Sequence, residues 1–442
     1  MEFKRTKYLQ QLINKEANSL IKVITGARRS GKSYLMNTIF YNHLLSKGIN
    51  KNNIIKFAFD NDEDIDLLDK YFPDEPTKIY TKHDYYLVNS KKFRAYIKDI
   101  TDDANNYYLL LDEIQILDSF VGTLNGFLQH TNYDVYVTGS NSHLLSSEIE
   151  TKFRGRKSSI HMLPLSFSEF VEGIKISPSE AWKKYIVTGG IPLVYKQVEE
   201  ERISFLNELC DEVYLKDIIG RKGIKDVETL NELFGVLASC IGSGVSPTSL
   251  ERTFKSQRHK NVTDDTINNY IDHFVDSFVV SKALKYNIKG KAYINTPYKV
   301  YFEDIGIRNA KTSFKQIEES HLMENIIYNE LRYRGFNVDV GEVDVNEMTD
   351  RIDVNGKKIY KKKSLEVDFI ATSNNQKYYI QSCLNINDSS TLEKKKKSLY
   401  YIDDSFKKII ITKDGLDIRK DENGFTIIDI FDFLLNDNSL DL

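Results

Sequence analysis

Residues 21–33 read IKVITGARRSGKS, an apolar run that passes directly into a basic loop framed by two glycines. The loop GARRSGKS (26–33) fits the pattern G-x-x-x-x-G-K-[ST], in which glycines let the backbone wrap a phosphate with its N–H groups pointing inward. In that pattern Lys32 reaches the outer phosphates and the Ser33 hydroxyl ligates Mg2+, while a helix starting at Gly31 adds its positive end. The cradle then comprises Gly26, Ala27, Arg28, Arg29, Ser30, Gly31, Lys32, Ser33 and Tyr34. The competing reading is a glycine-marked turn with basic neighbours. It is disfavoured by context, because a strand-like run precedes the loop and the helix-like SYLMNTIFYNHLLSKG, stopping at Gly48, follows it.

From this loop the first 170 residues continue as strands alternating with helices. Short apolar runs recur at NIIKFAF (53–59), YYLLL (107–111), YDVYVTG (133–139) and SSIHMLPL (158–165), with helical periodicity between them. That alternation implies βαβ crossovers and a parallel sheet of about five strands covered on both faces.

The length of 442 residues predicts several domains. Lysine plus arginine number 61 against 64 acids, so any nucleic-acid surface has to be a local patch. No run approaches a membrane span, MEFKRTKYLQ lacks the apolar core of a signal peptide, and Cys210, Cys240 and Cys383 form no paired motif. A cytoplasmic, reduced protein without zinc or membrane contact is expected.

A second motif lies at YYLLLDEIQ (107–115), a buried strand ending in Asp112 and Glu113. An acid at such a strand end is the expected Mg2+ partner of Ser33, and the following glutamate is placed to polarise an attacking water. In VTGSNS (137–142), Ser140 and Asn141 end another strand beside the same crevice, where Asn141 would hold the water or sense the γ-phosphate.

With both motifs, TGSNSHLLSSEI, FRGRKSSIHMLPLSFSEF, TGGIPLVY, YLKDIIGR, YFEDIGIRNA, LMENIIYNEL and LEVDFIA occur in order. Together they resemble the AAA-type P-loop ATPases of the additional-strand catalytic-glutamate division, in particular prokaryotic members with a C-terminal domain of unknown function. The resemblance covers essentially the whole chain. It implies sheet order 5-1-4-3-2, with an extra strand between the two motif-bearing strands, and an arginine acting on the γ-phosphate. Arg156 is the candidate, with Arg154 and Arg221 behind it; a salt bridge holding the loop into strand five is the other reading of Arg156. A cis arginine suits a monomer, whereas a trans one demands subunit contacts, so the oligomeric state stays open.

The expected organisation is an α/β P-loop NTPase domain (1–172), a helical lid (173–226), a winged helix-turn-helix (227–304) and an α+β restriction-endonuclease-like domain (305–442). The winged helix is read from ETLNELFGVLASCIGSG, SPTSLERTFKS and TDDTINNYIDHFVDS, the last two with Ser/Thr caps, followed by two strand-like runs. A generic helical domain with a hairpin is the alternative. In the last domain a hairpin turn is expected at Asn355-Gly356, and the lysine run 394–397 reads as a solvated helix face or a DNA contact. The nuclease pattern implied by the resemblance falls on Glu324, Asp368 and Gln381, with Cys383 at the lysine position and Lys377 at the wrong end of the strand. An amide binds Mg2+ weakly and a cysteine carries no cation, so catalysis there is expected to be lost; Glu366 and Asp368 would survive as metal or structural groups.

The sequence therefore predicts an Mg2+-dependent, ATP-hydrolysing switch whose C-terminal half engages double-stranded DNA or a protein partner. DNA contact would centre on Arg252, Lys255, Arg258, Lys260, Lys285, Lys289 and Lys291. The alternatives are an ATP-regulated DNA nuclease and a non-hydrolysing ATP-binding interaction module.

Overall fold

The computed structural model describes residues 2–81, 86–139, 153, 155–215, 218–220, 223–258, 260–352, 358–374, 376–385, 389–415 and 417–442. Five strands form the first sheet: β1 (Ile21–Thr25), β2 (Ile54–Ala58), β5 (Tyr107–Asp112), β6 (Tyr133–Gly139) and β7 (Lys157–His161). Their order, β2-β5-β6-β1-β7, is all parallel. Counted along the chain this is 5-1-4-3-2, with β6 inserted between the strand that feeds the glycine loop and the one ending in Asp112. A short antiparallel hairpin, β3 (Lys78–Tyr80) with β4 (Tyr86–Val88), was not foreseen from the sequence.

All five residues of β1 are buried, as a central parallel strand requires. Its one charge, Lys22, is fully buried and pairs with Asp134 beneath the Tyr136 ring. On one face the helix of residues 32–46 contributes Leu35, Met36, Phe40 and Leu44 to a core with Tyr136 and Ile160. On the other, the helices Ser90–Ile100 and Phe120–Phe127 pack Phe93, Ile97, Leu124 and Phe127 against Val23, Phe57 and Leu109.

After β7 the helices Phe167–Ile174 and Pro178–Thr188 each open on a serine–glutamate capping box, Ser166/Glu169 and Ser177/Glu180. The trio Val227–Ser239, Pro247–Gln257 and Asp264–Asp276 follows. Thr263 caps the third helix through the Thr266 N–H. Ser246 makes no cap bond, and the second helix starts instead on Pro247. In the third helix Ile267, Ile271 and Phe274 are buried and Val275 is half-buried.

Strands β8 (Gly244–Val245), β9 (Val280–Asn287) and β10 (Ala292–Phe302) do not form a separate wing. They enter one nine-stranded sheet with β11 (Asn337–Ile352), β12 (Lys358–Ser373), β13 (Gln376–Cys383), β14 (Lys407–Thr412), β15 (Arg419–Lys420) and β16 (Thr426–Asp429). Its order is β15-β16-β14-β13-β12-β11-β9-β10-β8. The join is a parallel pairing of β9 with β11 from Val340↔Lys285 to Glu342↔Asn287, so the sheet runs straight through the boundary expected at residue 304. The turn expected at Asn355-Gly356 falls outside the described residues.

Segment Glu303–Ala310 lies where everything meets. Asp304 is buried and accepts backbone N–H bonds from Gly190 at 2.6 Å and Ile307 at 3.0 Å, as well as from Gly306 and Ile191. Complete burial pushes its carboxyl up to about 6, and those backbone donors pull it back. Arg308 donates to the Ala238 carbonyl at 2.7 Å, and Asn309 to those of Ile186 and Val187 at 2.8 and 2.9 Å. A Cβ on Gly306 would collide with the Thr188 carbonyl, and one on Gly189 (φ 71°) with the Asp304 carboxylate. Backbone against backbone cannot yield, so Gly306→Ala should destabilise the fold by about 1–3 kcal/mol in denaturant titration. An unchanged midpoint would mean that this close approach is not required.

Candidate functional site: a phosphate loop and its carboxylates

The glycine loop joins β1 to the helix of residues 32–46. Gly26 takes φ 148°, and a side chain there would also run into the Met162 carbonyl; Arg29 (φ 63°) and Gly31 (φ 99°) complete the turn. The loop is closed by Ser30 N–H to Ala27 O at 3.3 Å and Leu35 N–H to Gly31 O at 2.8 Å. Lys32 is 5% exposed, and its ammonium folds into the loop onto the carbonyls of Gly26 (3.0 Å) and Ala27 (2.9 Å). Ser30 and Ala27 are buried, while Arg29, Ser33 and Tyr34 are exposed. Tyr34 donates to the Glu2 carboxylate at 3.1 Å, and Arg28 lies in the field of Asp60.

Asp112 ends β5 at the same edge of the sheet, 5% exposed. Ser33 hydrogen-bonds to it, Asn37 donates to Oδ2 at 3.2 Å, and the Thr138 hydroxyl donates to Oδ1. Thr138 also accepts the Glu113 N–H at 3.1 Å, so one hydroxyl on β6 ties both acidic residues to the inserted strand. Glu113 sits in the left-handed region (φ 50°, ψ 48°), sparsely populated for a non-glycine residue, which turns the chain sharply at the strand end. Burial pushes the Asp112 carboxyl up, and the charges of Glu113 and Asp60 push it further. Asp60 itself is raised by partial burial and by Glu113.

This concentration of negative charge beside a serine hydroxyl fits a divalent cation, with Ser33 and Asp112 as the groups that would hold it. Among the described residues no cluster of three or more His, Cys, Asp or Glu side chains is built to hold a metal unaided. The fit is therefore to a cation shared with bound phosphates. Sequence reading overlooked Thr138 and Asn37. Asn37 was detectable, since it lies four residues after Ser33 on the same helix face. Thr138 lies within the VTGSNS stretch, but at a buried strand position where a hydroxyl has nothing to distinguish it.

Arg156 lies elsewhere. Its carbonyl accepts the Ile21 N–H at 3.0 Å, at the start of β1, whereas the glycine loop leaves the strand's far end. With ~3.3 Å per residue, roughly 13 Å of strand separates the two, so this arginine does not reach the chain's own loop. Asn141, Ser140, Arg154 and Arg221 lie outside the described residues.

Two elements stand between the loop and the C-terminal half. A Cβ on Gly31 would stand 3.9 Å from Pro192 Cγ, in the turn whose Gly190 N–H binds Asp304. Beside it, His161 at the end of β7 approaches Thr25 Oγ1 at 3.5 Å and Glu303 at 3.0 Å, and Arg332 holds the same Glu303 oxygen at 3.3 Å. Burial opposes ionisation of Glu303, but His161 and Arg332 hold its carboxyl below the usual carboxylate range.

The C-terminal carboxylates are taken up by lysines. Lys299 bridges Glu324 (2.9 Å) and Glu366 (2.7 Å), and Tyr301 donates to Glu324 at 2.7 Å. Asp368 accepts the Ser382 N–H at 2.8 Å and pairs with Lys395 at 2.6 Å. Burial works against its charge, yet Lys395 and Lys299 hold its carboxyl low. Gln381 is fully buried and donates to Glu366 O and Ser398; Cys383 is buried, and Lys377 points to Asp404 at 3.9 Å. The lysine run is thus only partly a solvated face, with Lys394 exposed. Lys395, Lys396 and Lys397 pair with Asp368, Asp421 and Glu347, and Lys396 is buried.

Several expected DNA-contacting cations are likewise engaged within the fold: Arg258 with Glu232, Lys260 with Glu228 and Glu232, and Lys285 with Glu342 and Glu366. Arg252, Lys255, Lys289 and Lys291 are exposed.

Thr138→Val keeps the shape of the side chain but leaves the part-buried Glu113 N–H without its hydroxyl acceptor and removes one of the Asp112 carboxylate's donors. A loss of about 1–3 kcal/mol is expected in denaturant unfolding, with no nucleotide present. Full retention of stability would contradict the bridging role.

A family profile described as an AAA domain matches residues 18–171, and one described as a domain of unknown function, DUF8612, matches residues 179–318. An uncharacterized protein of Haemophilus influenzae is 30% identical over 437 residues, covering 98% of each chain. The uncharacterized protein MJ1544 of Methanocaldococcus jannaschii is 27% identical over 389 residues, 84% of this chain and 76% of that protein. Solved structures that align include the Aeropyrum pernix ORC2 protein (TM-score 0.34, 10% identity, 74% of this chain and 93% of that one). The CDC6p structure from Pyrobaculum aerophilum also aligns (TM-score 0.29, 10% identity, 71% and 93%). Alignments at that level carry no weight beside the strand order itself. No helix among the described residues is long and apolar enough to cross a membrane. With the glycine loop, the Asp112-Glu113 strand end, the inserted β6 and a relative matching over its full length, the chain belongs to the prokaryotic AAA-type P-loop ATPase family in which a domain of unknown function follows the AAA domain.

Proposed function

We propose that the chain binds ATP with Mg2+ at residues 26–34 and hydrolyses it to ADP and phosphate, using the cycle to shift its C-terminal half. The observation that carries this is the convergence of Lys32, Ser33, Asp112 and Glu113 at one edge of the parallel sheet. Lys32 exchanges its two backbone carbonyls for the outer phosphate oxygens. Ser33 and Asp112 hold the cation, which when bound offsets phosphate charge. Glu113 takes a proton from the attacking water as the new P–O bond forms and the bond to the ADP oxygen breaks. Asn141 is assigned to the water or the γ-phosphate. Arg156, remote from its own loop, is assigned to the nucleotide of a neighbouring subunit.

The output runs through Pro192 to Asp304 and through His161 to Glu303, and its target in this reading is a protein. The third helix of the winged trio carries Asp264, Asp265, Asp272 and Asp276, which repel phosphates. Its wing is built into the nine-stranded sheet, and the Lys299 and Lys395 pairs serve that sheet's cohesion rather than cleavage of DNA. Exposed Arg252, Lys255, Lys289 and Lys291 favour double-stranded DNA as the second reading. DNA added to the purified protein should leave phosphate release unchanged; salt-sensitive stimulation would transfer the output to DNA.

Lys32→Ala should abolish ATP binding, measured with a fluorescent analogue. Glu113→Gln should bind ATP as wild type does and lose turnover by about 10²–10⁴-fold. Wild-type phosphate release from either variant would place the chemistry elsewhere.

A further inference from the structure

We propose that Gln115 is the positioning residue of the Glu113 carboxylate, an inference that rests on the hydrolytic reading above. Beyond Glu113 the chain makes a tight 3-10 turn, Ile114–Ile116, closed by Ile116 N–H to Glu113 O and Leu117 N–H to Ile114 O, both 3.0 Å. Ile114 and Leu117 anchor the turn at 0% and 1% exposure, so residue 115 is carried on a rigid support. From there the Gln115 amide donates Nε2–H to Glu113 Oε2. Only the N–H2 end of an amide can face a carboxylate, so the orientation of the amide is chemically fixed.

The bond has a task that the backbone alone does not perform. Thr138 fixes the Glu113 N–H, three rotatable bonds away from the carboxylate. The Gln115 donor on the following turn acts on the carboxylate itself. A neutral donor suits this task better than a lysine or arginine would. It orients the carboxylate without the strong charge stabilisation that would blunt a general base. The other end of the same amide, Gln115 Oε1, is buried and makes no hydrogen bond to protein, so the side chain is not held there for a second structural bond.

The test uses the full-length chain and two substitutions: Gln115→Met, which keeps the length but removes the donor, and Gln115→Glu, which replaces it with a repelling charge. Steady-state ATP hydrolysis is measured alongside equilibrium binding of a fluorescent ATP analogue and the thermal unfolding midpoint. Positioning predicts that kcat falls at least about tenfold in both variants, while KM and nucleotide affinity stay within about twofold. Wild-type or raised kcat in Gln115→Met overturns the proposal, as does a parallel loss of nucleotide affinity, which would mark a structural role. If wild type fails to hydrolyse ATP, or Glu113→Gln is fully active, the hydrolytic reading falls and this inference falls with it. An active wild type, an inactive Glu113→Gln and an active Gln115→Met would sink the Gln115 proposal alone.

Discussion

The close approach of the Thr188–Gly190 turn to the Asp304–Gly306 turn is the constraint on which the remaining architecture depends. Neither backbone leaves room for a side chain, and Asp304 saturates N–H groups on both sides of the contact. Arg308 and Asn309 then satisfy carbonyls of two further helices. A buried segment that supplies partners to so many otherwise orphaned backbone groups cannot shift in one place without unpairing another. In the proposed cycle, movement in the turn beside the phosphate loop would pass to the strand end and helix that carry the C-terminal sheet.

The second link is electrostatic. Glu303 gathers His161 from the AAA sheet and Arg332 from the helix Glu319–Tyr333 on a single oxygen, in a buried setting where an unpaired carboxylate is costly. His161 also lies 4.7 Å from the Phe278 ring, just before β9. The polar pairing ties the two halves together beside a continuous apolar core, in which Ala27, Leu165 and Ile191 join Ile305, Ile307 and Leu331.

Local features were legible in the sequence: the loop pattern at Gly26–Ser33, the paired acids at Asp112-Glu113, and the alternation that gives a parallel sheet. Each is encoded within a few consecutive residues. Features made by distant partners were not. Lys395, Lys396 and Lys397 read as a solvated run because nothing nearby in sequence announces Asp368, Asp421 and Glu347 as their counter-ions. The incorporation of β9 into the C-terminal sheet depends on a parallel pairing with β11 more than fifty residues on, and parallel pairing leaves no turn signal to read. Thr138 escaped notice because a threonine in a buried strand is ordinary until the hydroxyl's two partners are known. Arg156 followed a glycine in a plausible motif, yet strand register, which no local pattern specifies, sets it at the opposite end of β1 from the loop.

Coupled movement of the phosphate loop and the C-terminal half would be read out by amide hydrogen exchange in the presence and absence of a non-hydrolysable ATP analogue with Mg2+. Protection is predicted to change in residues 26–40 and 112–117 and, together with them, in residues 188–192, 303–310 and 322–334. A change confined to the loop and the strand end, with the 303–310 segment exchanging identically in both states, would contradict the account.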